Sequence, residues 1–182
     1  MNRTTVSPPP RPVSKNRSLS TRNLVLVGMF AAVLAVISQI SIPLPTGVPI
    51  TIQVFGVALV GSVLGWKLGC LAVLVYIFLG AVGLPIFANF HGGIQSLVGL
   101  TGGYIIAWPA LAVLSGIRIK CSTSSLSFLC SAFMAVAGLM IVELVGGFQW
   151  SLLSAEMSFG AVMAYSLAAF IPKDVVITVL AV

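Results

Sequence analysis

The sequence predicts an all-α integral membrane protein, folded as a bundle of six transmembrane helices. Two observations support this prediction: 59% of the 182 residues are hydrophobic and only 7% are charged. Soluble domains carry about 25% charged residues because their surfaces face water. The chain also contains several uncharged segments whose length is close to the ~20 residues that a helix needs to cross a bilayer. The composition therefore excludes a soluble enzyme and a nucleic-acid-binding domain.

The first 22 residues form a basic tail. They contain four prolines and five basic side chains but no acidic one, and such a composition does not support a stable helix. No apolar core with a cleavage site, as in a signal peptide, is visible. We expect residues 1–22 to be a disordered cytoplasmic tail and residues 23–182 to form a single membrane domain.

Turn-forming and charged residues divide the membrane domain into spans. A proline-rich segment at 43–49 separates the first two, Lys67 marks a tight turn, Pro85 opens a loop, and 118–125 is polar and basic. Pro109 is expected to kink the fourth span. These boundaries predict spans at about 24–42, 50–66, 68–84, 97–117 and 126–145.

The last segment allows two interpretations. Residues 158–171 are apolar but short for a crossing, and Pro172-Lys173-Asp174 then interrupts the run. In the first interpretation, 158–171 is a loop-associated helix and 172–182 is an incomplete, truncated sixth span. In the second, one helix kinked at Pro172 runs through 158–182 and places the charge pair at mid-membrane. Because that position is costly for charges, the first interpretation is preferred.

The basic residues also predict the orientation. With the N-terminal tail in the cytoplasm, eight of the nine Lys and Arg residues lie on the inner side, as positive-inside topology requires. This distribution predicts a multi-pass protein of the cell membrane. The ninth basic residue, Lys173, lies on the outer side beside Asp174.

The polar side chains expected on the outer face come from three loops. Donors, acceptors and aromatic rings above an apolar bundle suit a small, partly apolar ligand with a few polar groups. Lys173 at a helix start would attract a carboxylate, and Asp174 would accept an N–H. Neighbouring side chains diverge on a helix, so each is expected to meet a different ligand group. The candidates are Thr46, Thr51, Gln53, Asn89, His91, Gln95, Tyr104, Gln149, Trp150, Glu156, Lys173 and Asp174.

Three other features leave alternatives open. His91 lacks Cys, Asp or Glu neighbours and so makes a poor metal site; it contacts ligand or water, or forms a hydrolase dyad with Ser96. Glu143 is unpaired in the sequence and is assigned no substrate role. A stripe of small residues on the first helix either packs inside the bundle or docks a separate membrane subunit. The stripe comprises Gly28, Ala31, Ala32 and Ala35, and Gly61 and Gly65 form a similar pair on the second helix.

Four segments resemble the signatures of the BioY family, in the family's order. They cover 45–59, 79–88, 99–104 (Gly-Leu-Thr-Gly-Gly-Tyr) and 170–174 (Phe-Ile-Pro-Lys-Asp). Leu100 stands where the family usually has proline, and Ile177 stands where many members have lysine. The resemblance covers residues 23–182.

This resemblance implies a biotin-binding S component of an energy-coupling factor (ECF) transporter, which is not an enzyme and carries no cofactor. It implies six membrane helices, capture of biotin at the outer face, and docking through the first helix onto a membrane coupling subunit driven by two ATPases. No P-loop motif occurs in this chain, so ATP would be used by a partner. Homo-oligomers are a further possibility, and the alternatives are an S component for another vitamin or, less favoured, the His91/Ser96 hydrolase.

Biotin suits the polar groups expected on the outer face. We expect Lys173 to hold its carboxylate, and Asp174 with Asn89 to hold its ureido ring. Tyr104 and Gln53 would line the pocket, together with Thr46 and His91. Gly102 and Gly103 would let the backbone approach the ligand.

Overall fold

The computed structural model describes residues 20–44, 48–119, 123–154 and 158–182. Two short strands, β1 (Ser41–Ile42) and β2 (Ile50–Thr51), pair antiparallel, and a 3-10 turn covers Ala88–Phe90. All other regular structure is helical, which confirms the predicted all-α class. The helices are α1 (Thr21–Ile37), α2 (Gln53–Val82), α3 (Gln95–Val98), α4 (Gly102–Ser115), α5 (Ser124–Leu153) and α6 (Phe159–Leu180).

The helices have the length and surface of a membrane protein. Within the described residues, α2, α5 and α6 are long and apolar enough to cross a bilayer, while α1 and α4 are apolar but shorter. Large hydrophobic side chains lie on the outside; Phe78 and Phe133, for example, are 67% and 72% exposed. Soluble proteins rarely expose extensive apolar surface. The chain is therefore a multi-pass membrane protein.

A glycine reverses the chain inside α2. Gly65 has φ 78° and ψ 166°, a conformation that is accessible to glycine but strained for other residues. The segments on either side of it pack together, since a Cβ placed on Gly69 would lie 2.8 Å from the Cα of Gly61. The reversal falls two residues before the turn that the sequence predicts at Lys67. It returns the end of α2 to the level of its beginning.

Two helix ends differ from the predicted spans near the first and second loops. The first helix ends at Ile37, because the Ser38 hydroxyl donates to the carbonyl of Ile86 at 2.5 Å and ties the chain to the next loop. Residues 41–42, predicted as helix, form β1 instead. The helix predicted from residue 97 begins only at Gly102, after the separate short helix α3.

The fifth helix is longer than predicted. It continues to Leu153, eight residues past the expected end at 145, through the Gly146-Gly147 pair. A Cβ on Gly146 would overlap the ring of Tyr104, so this glycine allows α4 and α5 to pack closely. The residues expected in a third outer loop, Gln149 and Trp150, therefore lie on α5.

The preferred prediction for the last segment is wrong. The helix α6 runs without interruption from Phe159 to Leu180, 22 residues, with Pro172 inside it. It is therefore not a loop-associated helix followed by a break, and it is long and apolar enough to cross a bilayer. Proline removes one backbone donor, a loss that membrane helices tolerate when neighbouring groups compensate. Lys173 and Asp174 thus lie within α6, where they form an ion pair.

Buried side chains form two clusters. The larger one joins α1, α2, α4 and α5 around Tyr76, Trp108 and Leu139. The smaller one comprises Val48, Trp150, Val162 and Phe170 and ties α5 and α6 to the segment that precedes β2. The gap between these clusters, near the ends of α2 and α4, holds the candidate site.

We expect Gly61→Ala to lower stability by about 1–3 kcal/mol, the usual cost of forcing extra atoms into a packed interior. A Cβ at Gly61 would overlap the backbone carbonyl of Ala112 and the Ser115 hydroxyl. Gly28→Ala is the matched control, because a Cβ there meets nothing within 4 Å. Thermal unfolding of both variants in the same detergent measures the difference, and equal midpoints would contradict this account of α2–α4 packing.

Candidate ligand-binding site

A cavity of about 290 Å³ lies at the ends of the helices nearest β1 and β2. Its walls come from the β2–α2 junction, the segment between α2 and α4, and the inner faces of α4, α5 and α6. This volume is close to the lower end of the range for small-molecule pockets, about 300–1,000 Å³. The sequence regions predicted to supply a ligand site therefore meet around one cavity.

Aromatic and aliphatic side chains form much of the wall. Phe87 and Trp108 both pack near the buried Tyr76, with ring centroids 5.5 and 6.0 Å from its ring. Tyr104 meets Phe170 edge to face at 6.4 Å. Such rings offer a rigid apolar surface and, through tyrosine, a hydrogen-bonding group. The cavity therefore suits a compact, partly apolar ligand.

Two acidic side chains and one lysine of the membrane helices line this cavity. The whole sequence has only three acidic residues, and two of them, Glu143 and Asp174, are here together with Lys173. Charged groups inside membrane helices are rare and usually serve a function. Their convergence at one cavity makes it the candidate functional site among the described residues.

Lys173 and Asp174 bind each other. The Lys173 ammonium donates to Oδ1 of Asp174 at 2.5 Å and to the backbone carbonyl of Thr51 at 2.7 Å. The prediction that the two side chains are free to meet different ligand groups is wrong, because the flexible lysine chain bends back to the neighbouring carboxylate. Asp174 is 3% exposed and Lys173 30%. Lysine is thus the accessible member of the pair.

Glu143 is a cavity residue to which the sequence analysis gave no role. Its side chain is 2% exposed, and Oε2 accepts a hydrogen bond from the Ser166 hydroxyl at 2.7 Å. The Ser166 hydroxyl also lies 3.1 Å from the Tyr104 hydroxyl. The sequence did contain a signal for this role: an isolated acidic residue within an apolar segment is energetically unfavourable in a membrane and usually indicates a functional site.

Gln53 is held at the cavity wall by α2 itself. Its amide nitrogen donates to the Tyr76 hydroxyl at 2.5 Å, and that hydroxyl donates to the Ile86 carbonyl at 2.9 Å. The Gly65 reversal makes this contact possible, since it brings the two ends of α2 together. Gln53 thereby links the β2–α2 junction to the loop that follows α2.

The loop after α2 has a fixed, strained conformation. Asn89 and Phe90 both have φ 57°, a left-handed conformation that asparagine tolerates better than most residues. Gln39, two residues after α1, holds this loop, since its side-chain oxygen accepts a hydrogen bond from the Phe90 amide at 3.0 Å. Ser41 donates to Oδ1 of Asn89 at 2.8 Å. Such strain is often kept at functional sites.

His91 and Ser96, the residues of the hydrolase alternative, both line the cavity. Nδ1 of His91 lies 3.0 Å from the carbonyl oxygen of Ala88, three residues earlier. The imidazole is thus held by its own turn, and no described group orients it for proton transfer from Ser96. This geometry does not favour the hydrolase.

The predicted binding residues divide into three groups. Six of them line the cavity, Gly102 and Gly103 do not, and Thr46 lies outside the described residues. The two glycines instead permit helix packing: a Cβ on Gly102 would overlap the Leu97 carbonyl, and one on Gly103 would lie 2.5 Å from the Val145 carbonyl oxygen. Glu156 is also outside the described residues. The six lining residues are Gln53, Asn89, His91, Tyr104, Lys173 and Asp174.

Of the other predicted outer-face residues, Thr51 and Gln95 also line the cavity, whereas Gln149 and Trp150 do not. Gln149 donates to the carbonyls of Leu97 and Gly99 at 3.0 and 2.8 Å and so fixes the segment before α4. Trp150 is buried against Tyr165, with ring centroids 5.8 Å apart. Both residues therefore hold the cavity wall in place.

The small-residue stripe of α1 is only partly on the surface. Gly28 and Ala32 are exposed and Ala35 is half-buried, whereas Ala31 is buried in the main core. The prediction of Ala31 as a docking residue is therefore wrong, because α1 turns that side chain towards the bundle. Gly61 likewise packs inside the bundle, against α4.

The fold and the cavity together define a polytopic membrane protein with a cavity of small-ligand size. Its sequence matches the model of the BioY family over residues 12–182. It is 47% identical over 127 residues to the biotin transporter BioY of Thermotoga maritima, covering 70% of this chain and 73% of that protein. It is 33% identical over 171 residues to the biotin transporter BioY of Rhizobium etli, covering 90% of each.

A solved structure has a similar fold. The crystal structure of the S-component for biotin from an ECF-type ABC transporter aligns with a TM-score of 0.77 over 90% of each chain, at 24% identity. The chain belongs to the BioY family, as the four sequence signatures indicated. Its relatives are named as transporters, and the family assignment places it among transport proteins, not enzymes.

Proposed function

We propose that this chain is the biotin-binding S component of an ECF transporter. The observation that carries the proposal is the cavity: one accessible cation, Lys173, stands beside aromatic and apolar walls of small-ligand size. Biotin combines a carboxylate, an apolar ring system and a polar ureido group. Family membership and the named biotin transporters among the relatives support this choice of ligand.

In the proposed binding mode, Lys173 receives the carboxylate of biotin. Asp174 and the Thr51 carbonyl both accept hydrogen bonds from the ammonium group and hold it in place. The aromatic rings of Trp108 and Phe87 contact the fused ring system, and Asn89, Gln53, Tyr104 and His91 offer hydrogen bonds. This arrangement places the charged end of biotin near β2.

The proposal includes partners and a membrane orientation. Six membrane crossings, with the basic N-terminal tail in the cytoplasm, would place the cavity at the outer side of the cell membrane. Biotin captured there would be released inward when the chain is coupled to a membrane subunit with two ATPases. Gly28 and Ala32, with Ala35 beside them, would provide the close helix contact.

Biotin should stabilise the purified chain, whereas thiamin and riboflavin should not. A ligand present at 100 times its Kd adds about 2.7 kcal/mol of stability to the folded state, which shifts thermal unfolding by several degrees in a protein of this size. Unfolding of the full chain in detergent, with each vitamin in turn, checks this. If a different vitamin stabilises the chain and biotin does not, the S-component proposal must be transferred to that vitamin.

A further inference from the structure

We infer that Glu143 is a specificity-determining residue, whose carboxylate accepts an N–H group at the end of the ligand remote from Lys173. For biotin that end is the ureido ring, so the inference rests on the proposed function. It assigns a ligand contact to an acid that no BioY-like signature in this sequence includes.

Two polar clusters reach the cavity, and each is held together by its own hydrogen bonds. One comprises Glu143, Ser166 and Tyr104, and the other comprises Lys173 and Asp174 with the Thr51 carbonyl. Ser166 and Lys173 are seven residues apart on α6, which corresponds to about 10 Å at the helical rise of ~1.5 Å per residue. A ligand with polar groups at both ends of an elongated molecule can therefore engage both clusters.

The two carboxylates differ in what they already bind. Oδ1 of Asp174 is paired with the ammonium group of Lys173. Glu143 receives one hydrogen bond, at Oε2 from Ser166, and within the described part of the chain Oε1 has no partner. Thr178 Oγ1 is the one fully enclosed side-chain polar atom left unpaired among the described residues, so Oε1 is open to the cavity that Glu143 lines.

An acceptor in this position favours an N–H donor. A carboxylate oxygen that faces the cavity without a protein partner can accept a charge-assisted hydrogen bond, which is stronger than one between neutral groups, from a ligand N–H. The balance of charges also favours a cationic ligand group, since the membrane helices bring two acidic side chains and one lysine to the cavity. Glu143 should therefore increase the affinity for a ligand with a cationic N–H group at this end more than it increases the affinity for a ligand with a neutral N–H group.

The probe for this inference is 2-iminobiotin, which has a guanidinium group where biotin has a neutral ureido group. Binding of both ligands to the full chain at neutral pH is measured by calorimetry for the natural protein and for Glu143→Gln. We expect the affinity for 2-iminobiotin, relative to that for biotin, to fall by about tenfold or more in the variant, the size of a charge-assisted contact. Ser151→Ala, on the same helix and outside the cavity lining, is the control and should leave the ratio unchanged.

The outcomes separate this inference from the proposed function. If the natural chain binds biotin and the affinity ratio is the same in Glu143→Gln, the Glu143 assignment is overturned while the S-component proposal stands. If the natural chain binds no biotin, the proposed function itself fails. Should Glu143→Gln not fold, Glu143→Asp keeps the charge but withdraws it by one methylene, and it should weaken 2-iminobiotin binding more than biotin binding. Equal weakening would contradict the inference.

Discussion

Removing the Lys173 ammonium group should weaken biotin binding by about ten- to a hundredfold. A hydrogen bond to a charged group contributes about 1.5–3 kcal/mol, and each ~1.4 kcal/mol changes affinity tenfold. Lys173→Met keeps an unbranched side chain that is one atom shorter and removes the charge. The measurement is direct binding of radiolabelled biotin to the purified full chain.

This single substitution has a second effect that the experiment must separate. It leaves Asp174, 3% exposed, without its cation, and breaking a buried ion pair in this way typically costs about 3–5 kcal/mol of stability. The double variant Lys173→Met with Asp174→Asn removes both charges and should recover folding but not affinity. Lys67→Met is the matched lysine control, because Lys67 lies over the Trp66 ring, outside the cavity.

The ligand can be changed as well as the protein. Biotin methyl ester lacks the negative charge, so the natural chain should bind it less tightly than biotin, and the double variant should bind both alike. If the double variant retains the natural affinity for biotin, Lys173 does not hold the carboxylate.

The second large effect is expected from substitutions on the exposed surface of α1, which should reduce transport without changing biotin binding. Gly28→Leu combined with Ala32→Leu should abolish most biotin uptake, by tenfold or more, and leave the Kd for biotin unchanged. Gly28 and Ala32 are both exposed, and a Cβ at Gly28 meets nothing within 4 Å. Larger side chains there would therefore spare the fold but prevent close approach of a partner helix.

The chain supplies a matched control for this experiment. Gly160 and Ala164 on α6 have the same spacing, are also exposed, and a Cβ at Gly160 likewise meets nothing. Leucine at both of these positions should leave uptake intact. Uptake is measured in cells that also produce the coupling subunit and its two ATPases, and binding is measured on the purified chain. Equal uptake by the two double variants would show that α1 is not the docking surface.

These two experiments address different parts of the transport cycle. Variants in the cavity should alter affinity even in the isolated chain, whereas variants of the α1 surface should alter uptake only when partners are present. A cavity on one side of the bundle and an exposed small-residue pair on another helix make this separation possible.

The sequence by itself determined the class of protein, the approximate helices, and the segments that meet at the site. The apolar composition requires a lipid environment, since the chain has too few charged residues to cover a soluble surface. The signatures at 45–59 and 170–174 correctly indicated the BioY family. Gln53, Asn89 and Tyr104 lie far apart in the chain, and all three line the cavity.

Only the tertiary structure decided how the charges are used and where several helices begin and end. Pro172 has the appearance of a helix breaker in sequence, but α6 continues through it because packing and the cavity-facing ion pair stabilise the helix. The length of the lysine side chain allows Lys173 to pair with Asp174. The helices packed against α5 decide whether Glu143 faces the cavity or the lipid. Residue spacing along one helix does not contain that information. Ala31 and Ala32 differ for the same reason, since packing of α1 against α2 decides which adjacent alanine faces inward.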